Sequence, residues 1–171
     1  GMRGGFSLDL TAPGPDGRAW NLSKPSHRVR AMPLVNDRRP YLLVGSPPCT
    51  AYSNLQNLNK CRPGGEEKVA AAQLKAQVHL DFCAKLYSIQ LAAKRYFVHE
   101  HPTSATSWKV KSIQQIADSP TVLTAKAHMC AYGMMSADKD GEGPALKPTT
   151  FLTNSVCLHR ALGKRCPGHD T

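Results

Sequence analysis

Two uncharged runs, Tyr41 to Gly45 (YLLVG) and Tyr96 to His99 (YFVH), lie on either side of one long amphipathic stretch, and nothing else constrains the fold as much. Pro40 and Ser46-Pro47-Pro48 bound the first run, and Pro102 closes the second. Short apolar runs cut off by prolines read as strands buried on both faces. Between them, from about Glu66 to Lys94, the residues Leu74, Val78, Phe82, Leu86, Ile89 and Ala93 recur at spacings of four and three. That period predicts a helix with those residues on its core face. Its acidic start, Glu66-Glu67, and basic end, Lys94-Arg95, suit the helix dipole. Strand, long helix and strand within about 60 residues predict a right-handed βαβ unit. The expected class is therefore α/β, with a mainly parallel sheet and flanking helices.

Weaker signals fill in the rest. Phe6 to Leu10 is a strand candidate, Lys24 to Arg39 a basic helical segment, and Ile113 to Ala117 a short helix. Val122 to Tyr132 contains a strand, Ser136 to Pro144 reads as a polar loop, and Thr149 to Thr153 is the last strand candidate. This places one α/β domain over 1–154 and a basic tail rich in Cys and His over 155–171.

The chain of 171 residues carries 22 Lys and Arg against 12 Asp and Glu, a charge of 22 − 12 = +10. Such a balance favours a polyanionic partner, and DNA is the expected one. No apolar run approaches the roughly 18 residues of a membrane span, so no membrane partner is expected. The start lacks the basic-then-apolar layout of a signal peptide, and the six cysteines are too unevenly spread for a disulfide framework. The expected location is intracellular, cytoplasmic or nuclear, with reduced thiols.

In open α/β sheets ligands bind beyond the carboxyl ends of the strands. The residues there are Ser46-Pro47-Pro48-Cys49 and Glu100-His101-Pro102. Cys49, held by two prolines, is a nucleophile on a stiff loop; desolvation after an apolar strand favours the protonated acid at Glu100 and makes it a candidate proton donor. Adjacent parallel strands bring the two together. The competing reading is a buried thiol and a structural carboxylate.

GSPPCTAYS (Gly45 to Ser53) resembles the GxPPCxxxS loop of cytosine-5 DNA methyltransferases, and FVHEHP (Phe97 to Pro102) resembles their strand ending in Glu-Asn-Val or Glu-Asn-Pro. Ala131-Tyr132-Gly133 is similar to the Tyr-Gly preceding their Gln-x-Arg-x-Arg segment, and KPTTFLTN (Lys147 to Asn154) to an ending found in phage-type and mobile-element-type relatives. The resemblance spans about Tyr41 to Asn154. It implies a Rossmann-like methyltransferase fold in which the Cys49 thiolate adds to carbon 6 of a flipped-out cytosine. Glu100 would protonate the ring at nitrogen 3, and carbon 5 would take a methyl group from S-adenosylmethionine. Pro48 would shape the loop, Ser53 would support it, and Lys147 would stand in for a missing base- or phosphate-contacting arginine.

The family's Phe-x-Gly-x-Gly cofactor loop is not found before Cys49, and the chain is expected to begin downstream of it. By order, Asp9 falls near the family's ribose-binding carboxylate and Asn21 near its adenine-side Asp. Activity is then lost, or depends on a missing N-terminal segment or a partner polypeptide. An absent upstream strand would leave an exposed sheet edge that invites homodimerisation. Only 17 residues follow Asn154, too few for the usual target-recognition domain. Within them, Cys157, His159, Cys166 and His169 have the composition of a compact zinc site. Two further readings stand beside the enzyme: a catalytically degenerate domain that grips nucleic acid through its basic surface, and a cysteine hydrolase or transferase pairing Cys49 with His99 or His101. The last is disfavoured because residues on either side of Glu100 share the opposite strand face.

Overall fold

Tyr41 ends one unit, Gly1–Tyr41, and Leu42 begins a second, Leu42–Thr171. The computed structural model describes residues 4–138 and 141–166.

In the first unit the expected strand at Phe6 to Leu10 is absent among the described residues. The Asp9 carboxylate accepts from the backbone amides of Thr11 and Ala12 at 2.8 and 3.2 Å, which offers the backbone a turn in place of a ladder. Helix α1 (Pro25–Arg38) starts on a proline, tolerated there because the first turn needs no amide donor. Arg39, left-handed at φ 47°, closes it. Trp20, Ala31 and Val35 are buried. Two cations of the basic segment serve this unit: Arg30 pairs with Asp16 at 2.6 Å and lies 4.8 Å over the Trp20 ring, and Arg28 donates to the Leu22 and Ser23 carbonyls.

The second unit runs β1 (Leu42–Gly45), α2 (Gln56–Lys60), α3 (Gly65–Ala92), β2 (Tyr96–Pro102), α4 (Lys111–Ala117), β3 (Leu123–His128), β4 (Met135–Asp138), β5 (Gly141–Pro144), β6 (Pro148–Thr153) and α5 (Val156–Leu162). Strands β1 and β2 are parallel neighbours joined through α3, in the register Leu42↔Tyr96 to Gly45↔His99, as the two apolar runs predict. The four-stranded sheet, ordered β1-β2-β6-β3, is mixed rather than mainly parallel, because β6 runs antiparallel to both β2 and β3. The physical reason is the connection: from β3 the chain returns through the β4–β5 hairpin, and antiparallel neighbours need no helical crossover. That hairpin also replaces the polar loop expected over Ser136 to Pro144; its short strands of Gly, Ser and charged residues give no β-branched signal.

Helix α3 matches its expected span, but its core stripe is displaced. Phe82 and Leu86 are buried, whereas Leu74 is 70% exposed. The residues packed into the main core are Ala76, Leu80, Ala84 and Tyr87, with Cys83 and Leu91 at the margin. These meet Phe97 of β2, Leu152 of β6, and Ile113 and Ile116 of α4. On the other sheet face Val98, Ala125, Ala127 and Phe151 pack with Leu158 and Leu162 of α5. The segment expected as a tail thus contains a helix that covers the sheet, its first turn capped by the Ser155 hydroxyl accepting from the Leu158 amide. No helix among the described residues is long and apolar enough to cross a membrane.

Candidate active site

The parallel register sets Gly45 beside His99, so the loop leaving β1 runs alongside the last residues of β2. Ser46 donates its hydroxyl to the Glu100 carboxylate at 2.5 Å. One residue further on, the buried His101 ring donates from Nε2 to the Pro47 carbonyl at 2.9 Å. The two motifs singled out by sequence therefore share one end of the sheet.

Cys49 is half-buried and opens the tight turn Thr50–Tyr52, its carbonyl accepting from the Tyr52 amide at 2.9 Å. The turn is pinned to α3: the Tyr52 hydroxyl donates to the Gln73 carbonyl, and the Gln73 amide donates back to the Ala51 carbonyl, both at 3.2 Å. Pro48 is exposed, and the Ser53 hydroxyl accepts from the Leu55 amide at 3.3 Å, a local support of the loop. Lys147 is exposed just before β6, and β6 reaches this same sheet end because the Thr103 amide, just past β2, donates to the Pro148 carbonyl at 3.0 Å.

Beneath the loop lies an aromatic layer that sequence reasoning did not find. His99 shares a 3.0 Å hydrogen bond with the Tyr87 hydroxyl, and His99, His101 and Trp108 pack ring against ring at 5.1 to 6.1 Å. Burial, reinforced by the neighbouring His101, pushes the His99 imidazole down to about 3, so it is neutral. Burial also lowers His101, against the opposing pull of the Pro47 carbonyl and the Glu100 charge. The period-two alternation of β2, with Glu100 on one face and His99 and His101 on the other, was the available signal. Both ring nitrogens of His101 are engaged, with Ser107 and Pro47, whereas His99 meets Tyr87 through Nδ1 alone.

The remaining candidates are engaged in bonds of their own. Asp9 Oδ1 accepts from Thr11 and Ala12, and Asn21 Oδ1 accepts from the Ser23 amide at 3.0 Å. These are the bonds of turn residues and do not form a cradle for S-adenosylmethionine. Of the proposed zinc ligands, Cys157 is exposed on α5, and His159 donates from Nε2 to the Thr124 carbonyl at 3.2 Å. The Cys166 amide donates to His128 Nδ1 at 3.3 Å, and its thiol lies within hydrogen-bonding reach of Cys130. His169 lies outside the described residues. Among the described residues no three His, Cys, Asp or Glu side chains are grouped to hold a metal ion.

No known protein family, curated protein or solved structure matches the chain.

Proposed function

We propose that this chain is a cytosine-5 DNA methyltransferase-like domain with a Rossmann-like methyltransferase fold, and that the shared end of β1 and β2 receives a cytosine extruded from DNA. The observation that carries the reading is the Ser46–Glu100 hydrogen bond, which joins the PPC loop and the β2 glutamate across 54 residues of sequence. An extruded base gives the chemistry access to ring atoms that stacking hides.

The Cys49 thiolate adds to carbon 6 of the ring, forming a carbon–sulfur bond. Glu100 holds nitrogen 3 and delivers a proton there, so the electron pair displaced from the 5,6 double bond enriches carbon 5. S-adenosylmethionine is the methyl donor that the resemblance implies. Asp9 and Asn21 are held in turn bonds and form no cradle for it.

Activation of carbon 5 has its own readout. Without a methyl donor, carbon 5 takes a proton from solvent, loses the original hydrogen, and expels Cys49. Incubating a cytosine-containing oligonucleotide with the protein in heavy water should therefore place deuterium at carbon 5. Cys49→Ala should abolish this exchange.

A second reading, a catalytically degenerate nucleic-acid-binding domain, is favoured by one observation. Arg28 and Arg30 are engaged within the first unit, yet Lys24, Arg38 and Arg39, and also Arg160, Lys164 and Arg165, remain exposed. It predicts salt-sensitive DNA binding with no exchange at carbon 5. Homodimerisation through the outer strand β1 is a further proposal, checked by sedimentation.

A further inference from the structure

We infer that His101 is a positioning residue for Cys49: its imidazole braces the Pro47 carbonyl and so fixes the loop that presents the nucleophile. The inference rests on the reading of Cys49 given above.

His101 is fully buried and makes two short contacts, Nδ1 to the Ser107 hydroxyl at 2.7 Å and Nε2 to the Pro47 carbonyl at 2.9 Å. A carbonyl can only accept, so Nε2 carries the proton and Nδ1 accepts from Ser107. The hydroxyl thereby sets the tautomer that the brace requires. The ring is seated by its stack on His99 at 5.1 Å and by the edge of Trp108, whose Nε1 donates to the Pro102 carbonyl at 2.8 Å. Pro47 and Pro48 have no amide hydrogen, so this stretch must be held through its carbonyls. Successive residues of β2 hold successive residues of the loop: Glu100 takes Ser46 on one face, and His101 takes Pro47 on the other. The nucleophile lies two residues beyond that double grip.

The test compares His101→Phe, which fills the space without a donor, with His101→Gln, which keeps an amide donor. Two readouts are taken: deuterium exchange at carbon 5 of cytosine, and the rate at which iodoacetamide alkylates Cys49, followed by peptide mass spectrometry. His101→Phe should lower exchange at saturating DNA by about ten- to a hundredfold, with half-saturation moved less than about threefold, because misplacing a reacting group costs rate rather than binding. It should also change Cys49 alkylation at least about threefold, while His101→Gln stays near the native protein in both readouts. Equal behaviour of Phe and Gln, or a Phe variant indistinguishable from native, overturns the brace. If the native protein shows no exchange, the cytosine reading fails, and the alkylation rates alone decide the brace by the same criterion. Should His101→Phe not fold, Ser107→Ala releases the tautomer while leaving the ring; it should shift alkylation in the same direction, and an unchanged rate overturns the proposal.

Discussion

The Ser46 hydroxyl and the Glu100 carboxylate meet at 2.5 Å, and each is the residue that follows a paired position, Gly45 and His99, on neighbouring parallel strands. The bond ties the loop that carries Cys49 to the last residues of β2.

Glu100→Gln keeps an acceptor for Ser46 but cannot deliver a proton, so the fold should survive. Exchange at carbon 5 should fall by about 10² to 10⁴, the span typical of a lost general acid. Ser46→Ala leaves the carboxylate in place and should act on rate far more weakly. Exchange assays on both variants check this, and a native rate in Glu100→Gln removes the acid role.

Gly45 is tight for a reason of packing. A Cβ there would overlap the Tyr87 hydroxyl, which lies against β1 from α3. Gly45→Ala should cost about 1–3 kcal/mol by overpacking. Adding Tyr87→Phe removes the clashing oxygen, so the double variant should lose less than the sum of the singles. Denaturant melts of the four proteins measure the coupling, and strict additivity would show that the two sites do not meet.

His99 gives the fold an acid sensitivity. Its folded value near 3 lies below the ordinary 6.5, so the unfolded chain binds the proton more tightly. Its contribution is fully present above pH 6.5 and is lost as pH falls toward 3, reaching about 3 kcal/mol at pH 4. His99→Leu should flatten the decline between pH 6.5 and 4, and stability curves parallel to the native ones would contradict the assignment.

Much of this was legible in the chain and some was not. The parallel β1–α3–β2 unit follows from two proline-bounded apolar runs, and the meeting of Cys49's loop with Glu100 follows from the strand-end rule. The displaced face of α3 was hidden because Ala76, Ala84 and Cys83 are small and carry little hydropathy signal beside Leu74 and Val78. The antiparallel β6 could not be read because strand direction depends on the path of the connection, here a hairpin poor in strand formers. The brace from His101 needed three-dimensional register, since its partner Pro47 is 54 residues away.

The turn bonds of Asp9 and Asn21 bear on the cofactor. Calorimetric titration with S-adenosylmethionine should show no micromolar binding to these residues. Micromolar binding that disappears in Asp9→Ala and Asn21→Ala would show that the turns open to hold the ligand.

DNA affinity should depend steeply on salt, with the logarithm of the binding constant falling linearly as the logarithm of salt rises. Replacing Arg38 and Arg39 by Gln should reduce that slope by about one to two. An affinity indifferent to salt would remove DNA as the partner of the exposed cations.

The most direct test of the central claim is deuterium uptake at carbon 5 of an unpaired cytosine in heavy water, measured for the native protein, Cys49→Ala and Glu100→Gln. The account predicts uptake by the native protein, none above background with Cys49→Ala, and a strongly reduced rate with Glu100→Gln. Uptake unaffected by Cys49→Ala, or none by a folded native protein that binds the oligonucleotide, would contradict it.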